Sequence, residues 1–450
     1  MSFAVPYRNL YLSINLYLMG NSFLDELEWR GMLHQSTPDV DEHLSESPRI
    51  GYIGFDPTSD SMHIGNLVQI MILIHFQRYG HKPIALIGGA TGMIGDPSGK
   101  SSERKLLDQK KLEKNSSALK KQFLKFLDFS KDRLNSAEMI NNFDWMKEFS
   151  LIDFSREVGK HITVNYMMSK ESVKKRISDE SSEGMSFTEF TYQLIQGYDF
   201  LELLRSKKCT IQLGGSDQWG NITTGIELIR KKLSKKVYSI TCPLMTKSDG
   251  SKFGKTEEGN IWLDKAKTSP YKFYQYWLNL SDEDAEKYIK IFTLLNKNEI
   301  LELIEKHKKN PHERILQNKI TEEITLMVHS QKDLDNAKIA SKILFGKSTK
   351  KDLSSLDKET FYEVFDGVPK VKIKKSSLKK GLSVVEALSM KGSILNSLSE
   401  ARRALKENSV YINKSRVDEN KILNANDLII EGVILVQRGK KKYLILDFTD

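Results

Sequence analysis

Arg49-Ile50-Gly51-Tyr52-Ile53-Gly54-Phe55-Asp56-Pro57-Thr58 runs into Ser59-Asp60-Ser61-Met62-His63-Ile64-Gly65-Asn66 and then Leu67-Val68-Gln69-Ile70-Met71. Ile50, Tyr52, Ile53 and Phe55 make a short apolar strand over Arg49 to Phe55, while Leu67, Ile70, Met71 and Ile74 recur at helical spacing over 65–79. His63-Ile64-Gly65-Asn66 therefore opens a helix, where unsatisfied N–H groups and the positive end of the dipole attract phosphate.

Working outward, a second apolar strand, Pro83 to Ile87, ends in Gly88-Gly89-Ala90-Thr91-Gly92-Met93-Ile94-Gly95-Asp96-Pro97-Ser98-Gly99-Lys100. Strand, helix, strand predicts a parallel sheet. A Lys-rich helical stretch follows at 103–127, then a long helix from Phe187 to Leu204 and a strand from Cys209 to Leu213. That strand ends in Gly214-Gly215-Ser216-Asp217-Gln218-Trp219-Gly220-Asn221, ahead of a helix running to Lys231. Neither glycine loop has the spacing of a dinucleotide fingerprint or a phosphate loop; both suit a backbone that approaches a ligand closely. Lys252-Phe253-Gly254-Lys255-Thr256 begins 189 positions after His63, with Gly250 and Gly259 around it, as a mobile loop closing over a charged group would need.

The fold class expected is α/β: a Rossmann-like parallel-sheet domain, an α-helical domain and a small α+β domain. The expected boundaries are an N-terminal extension at 1–19, the sheet domain at 20–248 with a helical insertion, a mobile lysine loop at 249–264, a helical domain at 265–345, a linker at 346–382 and the small domain at 383–450. The 450 residues suit about three domains. Phe3, Tyr7 and Arg8 with no acid in the first 18 residues weakly suggest a transit peptide, but an upstream start codon ahead of Met19-Gly20 is the preferred reading.

Net charge is +10, and from Pro369 onward 17 Lys or Arg stand against 9 Asp or Glu, so the excess is concentrated in the last domain. That asymmetry points to RNA or DNA rather than a membrane. No apolar run reaches the roughly 18 residues a spanning helix needs. Cys209 and Cys242 have no metal-ligand spacing, which implies a reducing compartment and no zinc.

The two basic motifs, Gly54-Phe55-Asp56-Pro57-Thr58, the 88–100 loop, Phe187-Thr188-Glu189-Phe190, Tyr192 with Gln196, Tyr198-Asp199-Phe200 and the 214–221 loop together resemble one family. It is the class I aminoacyl-tRNA synthetases, in their bacterial tyrosyl branch, and the likeness runs from residue 20 to 450. The resemblance implies ATP-dependent activation of tyrosine and its transfer to tRNA(Tyr), in the cytoplasm, by a homodimer, without DNA or membrane partners. It implies that Tyr52 and Asp199 hold the phenol hydroxyl while Thr91, Asp96, Tyr192 and Gln196 hold the ammonium. A site built around a hydroxyl rejects an analogue lacking it without editing, and tyrosine against phenylalanine in this family is the standing case.

For ATP, the resemblance places Gly54, Asp56, Gly215, Asp217 and Gln218 beside adenylate and ribose, and Thr58, His63 and Asn66 at the phosphates. Lys100, Arg104, Lys252 and Lys255 would neutralise pyrophosphate, with Phe253, Gly254 and Thr256 completing the second signature. Magnesium would accompany ATP, with no dedicated protein metal site. The last domain resembles that of ribosomal small-subunit protein four, which puts Arg402, Arg403, Lys406 and Lys414 toward tRNA phosphates.

Two departures stand out: Asn66 occupies the place of the family's second signature histidine, and Phe253-Gly254 that of Met-Ser. The segment 178–186 is longer and more acidic than usual. The rival readings are a tryptophanyl enzyme, which should lack the Tyr52 and Asp199 pair, and a synthetase-derived RNA-binding protein in which catalysis is spent.

Overall fold

The computed structural model describes residues 22–98, 106–178, 184–251, 253–256, 259–345, 349–390, 394–395, 397–430, 432–439 and 442–448. The expected extension at 1–19 and residues 179–183 of the acidic segment lie outside them. The chain forms two compact units, one built from residues up to Thr268 with Leu280–Val328, the other from Ser269–Asn279 with residues from His329 onward.

In the first unit, strands β1 (Gln35–Ser36), β2 (Ile50–Phe55), β3 (Lys82–Ile87), β4 (Glu138–Asn141), β5 (Ile211–Gly215) and β6 (Tyr238–Cys242) form one sheet in the order β1-β6-β5-β2-β3-β4. All pairs are parallel except β1 with β6. From β2 the chain steps to β3 and β4 on one side and later to β5 and β6 on the other, so the strand order reverses between β2 and β5. Crevices for ligands open at the carboxyl ends of strands at such a switch point. The helix Ile64–Arg78 leaves β2 through the 56–63 turn and is apolar on nearly every face, because it is buried along most of its length.

Helices Asp282–Phe292, Lys297–Lys309 and Ile315–Val328 complete this unit. Arg30, 2% exposed, donates from its guanidinium to the carbonyls of Thr293 (3.0 Å), Leu295 (2.7 Å) and Lys290, which ties the helix Phe23–Trp29 to them.

The second unit is a five-stranded sheet of Ser415–Arg416, Val410–Ile412, Val433–Arg438, Lys442–Asp447 and Lys370–Lys372, in that order, covered on both faces. Ile434, Val436, Leu444 and Leu446 face the helices Val384–Ser389 and Leu398–Lys406. Val433, Leu435 and Ile445 alternate to the other face and pack with Tyr271, Ile343, Leu353, Phe361 and Phe365.

This corrects two expectations. Residues 346–382 are not a linker where described: they carry helices Lys350–Ser354, Lys358–Val364 and Lys375–Lys379 and the edge strand Lys370–Lys372. Nor does 265–345 behave as one helical domain, since Pro270–Leu278 and Gln331–Phe345 belong with the C-terminal sheet. The cause is the unbroken run Val433-Ile434-Leu435-Val436, which a sheet solvated on one face would not carry.

Candidate functional site

The carboxyl ends of β2, β3 and β5 and the start of the helix Ile64–Arg78 enclose a cavity of about 440 Å³. Its lining includes Tyr52, Gly54, Asp56, Thr58, His63, Asn66, Thr91, Asp96, Tyr192, Gln196, Asp199, Asp217 and Gln218, residues drawn from five separate stretches of chain.

At its inner end, Asp199 is 1% exposed, on the helix Phe187–Lys207, and both carboxylate oxygens accept. Asn142 Nδ2 donates to Oδ2 (2.9 Å) and Trp145 Nε1 to Oδ1 (2.9 Å). Burial nevertheless pushes its pKa up to about 7, against the lowering effect of those two donors. Tyr52, also 1% exposed, carries a hydroxyl with no hydrogen-bond partner among the described residues. Burial first, and then the Asp199 charge, raise that phenol well above its ordinary value. An orphaned buried hydroxyl beside a carboxylate is costly unless something else completes the pair.

Above this, Asp56 Oδ1 accepts from Thr91 Oγ1 (2.6 Å) and its Oδ2 from Tyr192 OH (2.9 Å). Gly88 permits that network: a Cβ there would run into Asp56 Oδ1 and Thr91 Oγ1. Asp96 accepts from Gln218 Nε2 (2.6 Å) and from the Ser98 N–H (3.0 Å). Burial raises the Tyr192 phenol well above its ordinary value, with Asp56 and Asp96 adding to it, and burial with Asp96 raises Asp217. With Asp56, Asp96, Asp199 and Asp217 and no lysine or arginine among its described lining residues, this end of the cavity suits an ammonium and hydroxyl groups.

At the mouth, His63 caps its helix. Its Nδ1 accepts from the Gly65 N–H (3.0 Å), so the neutral ring carries its proton on Nε2, and Asn66 Oδ1 accepts from the His63 N–H (3.1 Å). The second signature comes to this same helix start. Gly254 has φ +82°, and a Cβ on it would press against the Ile64 side chain. Its carbonyl accepts from the Ile261 N–H (3.1 Å), and the Ile261 carbonyl accepts from the Ile64 N–H (3.0 Å).

A family model for class I tRNA synthetases of the tryptophan and tyrosine type matches residues 45–346, two thirds of the chain. The chain belongs to this family. A second model, for the C-terminal domain of tyrosine–tRNA ligases, matches residues 360–446 of this synthetase. It is 57% identical over 428 residues to a tyrosine–tRNA ligase of Flavobacterium psychrophilum, covering 95% of this chain and 99% of that one. A tyrosine–tRNA ligase of Bacteroides fragilis is 55% identical over 426 residues, covering 94% and 99%. Among solved structures, a C-terminally truncated mitochondrial tyrosyl-tRNA synthetase of Aspergillus nidulans aligns with a TM-score of 0.65 at 28% identity, over 75% of this chain and 99% of that one.

The synthetase fold therefore gathers most of the expected site residues, with exceptions. Phe253 is turned inward, 8% exposed, against Tyr288 (4.9 Å between ring centroids) and Phe292 (5.2 Å), so its side chain anchors the loop. Gly215 is buried at the end of β5, under the Asp217 carboxylate. Lys100, Arg104 and Lys252 lie outside the described residues, and Lys255 and Thr256 form a short strand with Gly259–Asn260.

On the C-terminal unit, Arg402, Arg403 and Lys406 are exposed on the helix Leu398–Lys406, but Lys414 is not free for phosphate. Its ammonium donates to the Ile343 carbonyl (3.1 Å) and to Tyr443 OH (3.0 Å), which corrects the expectation for that residue. The reading of the sequence missed Asn142 and Trp145. They follow β4, a four-residue strand too short and too polar to stand out; its carboxyl end was the available clue.

Proposed function

We propose that the cavity is the tyrosine and ATP site of a tyrosine–tRNA ligase, which forms tyrosyl-adenylate and pyrophosphate and then passes the tyrosyl group to the 3′ end of tRNA(Tyr). The observation that carries this reading is the unpartnered Tyr52 hydroxyl beside Asp199, whose oxygens are aimed by Asn142 and Trp145. A substrate phenol can donate to Asp199 and accept from Tyr52; an indole has no oxygen to offer there, which disfavours tryptophan.

Thr91, Asp96, Tyr192 and Gln196 then take the ammonium, and Gly54, Asp56, Asp217 and Gln218 the adenylate and ribose, with Thr58, His63 and Asn66 toward the phosphates. Lys100, Arg104, Lys252 and Lys255 are assigned to the departing pyrophosphate by the family resemblance alone. Magnesium would enter on the ATP oxygens, without a dedicated protein site.

Leu151 (74% exposed), Val164 (62%) and Phe187 (74%) stand exposed around an apolar groove, and a second copy of the chain is the occupant assigned to them. Phe187→Asp should then yield monomers in sedimentation. No described helix is long and apolar enough to cross a membrane, and the cytoplasm is the compartment proposed. The test of activity is amino-acid-dependent exchange of pyrophosphate into ATP. Exchange with tyrosine but not with phenylalanine or tryptophan is expected; none with tyrosine, alongside retained RNA binding, would leave only an RNA-binding protein.

A further inference from the structure

The turn before the first signature helix and the arm after the second signature are joined along their backbones. The Leu263 N–H donates to the Met62 carbonyl (2.9 Å), and His63 lies in an antiparallel bridge with Trp262. The Trp262 indole meets the His63 imidazole edge to face, with 6.0 Å between centroids and 68° between planes. The Lys267 ammonium stands 4.7 Å from the centre of the same indole. That ammonium is ion-paired with Asp60, three residues before His63, and donates to Ser59 Oγ (3.4 Å). The contacts close a ring: Asp60 to Lys267, Lys267 to Trp262, Trp262 to His63, and the backbone back to Asp60.

Resting on the activation reading above, we propose that Asp60, Lys267 and Trp262 form a clamp that positions the His63 imidazole for attack of the tyrosine carboxylate on ATP. The ring is already held through Nδ1 by the Gly65 N–H, and the indole fixes its remaining freedom. The ionic part of the clamp is about one-third exposed (32% for Lys267, 36% for Asp60), where an ion pair adds little to stability. Its value lies in placement, since a small displacement of a group at the reacting centre costs far more in rate than in folding.

The test compares tyrosine-dependent pyrophosphate exchange, tyrosine affinity by equilibrium dialysis and Tm in the full chain and its variants. Lys267→Met and Asp60→Asn should each lower kcat by roughly ten- to a hundredfold, with tyrosine Kd and Tm held. The double variant should be no slower than the worse single one, because the pair acts as a unit. Lys267→Arg keeps a cation over the indole and should recover most of the rate lost in Lys267→Met. Unchanged kcat in both single variants would overturn the clamp. So would a loss that tracks Tm and is not recovered by arginine, or losses that multiply in the double variant. The wild-type chain is the control: if it does not exchange with tyrosine, the activation reading falls, and the clamp with it.

Discussion

Tyr52→Phe should make the free protein more stable and a worse binder of tyrosine. The wild-type hydroxyl is fully buried, has no partner among the described residues and faces the Asp199 charge, so folding strips it of water without return. Removing it relieves about 1–3 kcal/mol, and phenylalanine leaves no void because only the oxygen is lost. At roughly 2 °C per kcal/mol for a unit of this size, the ligand-free unfolding midpoint should rise by roughly 2–6 °C. Bound tyrosine, in turn, loses one neutral hydrogen bond of about 0.5–1.5 kcal/mol, a two- to tenfold weaker Kd. Selectivity over phenylalanine should fall by a similar factor and no further, because Asp199 remains to accept the phenol. Scanning fluorimetry with and without saturating tyrosine, beside exchange assays with both amino acids, measures both signs on one preparation. A midpoint that falls, or an unchanged tyrosine-to-phenylalanine ratio, would mean that the hydroxyl is satisfied in the free protein or faces no substrate.

Asp199, with a pKa of about 7 when folded against 3.8 for a free side chain, holds its proton more tightly in the folded state. Its cost to stability is absent below about pH 4, grows as the pH rises toward 7 and is constant beyond. In urea unfolding, Asp199→Asn should therefore gain on the wild type between pH 4.5 and 8; equal gains at both would refute the assignment. Gly88→Ala should push Asp56 and Thr91 apart, costing about 1–3 kcal/mol and raising KM for tyrosine in exchange about tenfold. Phe361→Ala empties a fully buried position of the C-terminal unit and should cost about 3–5 kcal/mol, with new protease cuts at 346–382 and loss of tRNA charging while exchange persists. A harmless Phe361→Ala would restore the linker reading.

How much could be read in advance differed by element for physical reasons. The helix Ile64–Arg78 and the strands β2, β3 and β5 were legible because their apolar patterns are local and their ends are marked by glycine and polar caps. The strand β4 was not: its four residues are half-buried and carry Glu138 and Asn141, so nothing in their pattern distinguishes a strand. The helices at 350–364 were missed because each is five to seven residues long and amphipathic only with respect to a sheet contributed by residues 433–447. Lys414 looks like any surface lysine in sequence, and only the approach of Ile343 and Tyr443 turns it inward.

By itself, then, the sequence determined the parallel-sheet class, the two signature motifs and the identity of most cavity residues, since each depends on local pattern and side-chain chemistry. Tertiary structure decided what those residues do to one another. It brought motifs 189 positions apart onto one helix start, left the Tyr52 hydroxyl without a partner among the described residues, and set Asn142 and Trp145 on Asp199. It also packed the Phe253 ring inward as an anchor, and closed the ring from Asp60 through Lys267 and Trp262 to His63. These are distances between groups remote along the chain, and they exist only once the sheet has closed and the core has packed.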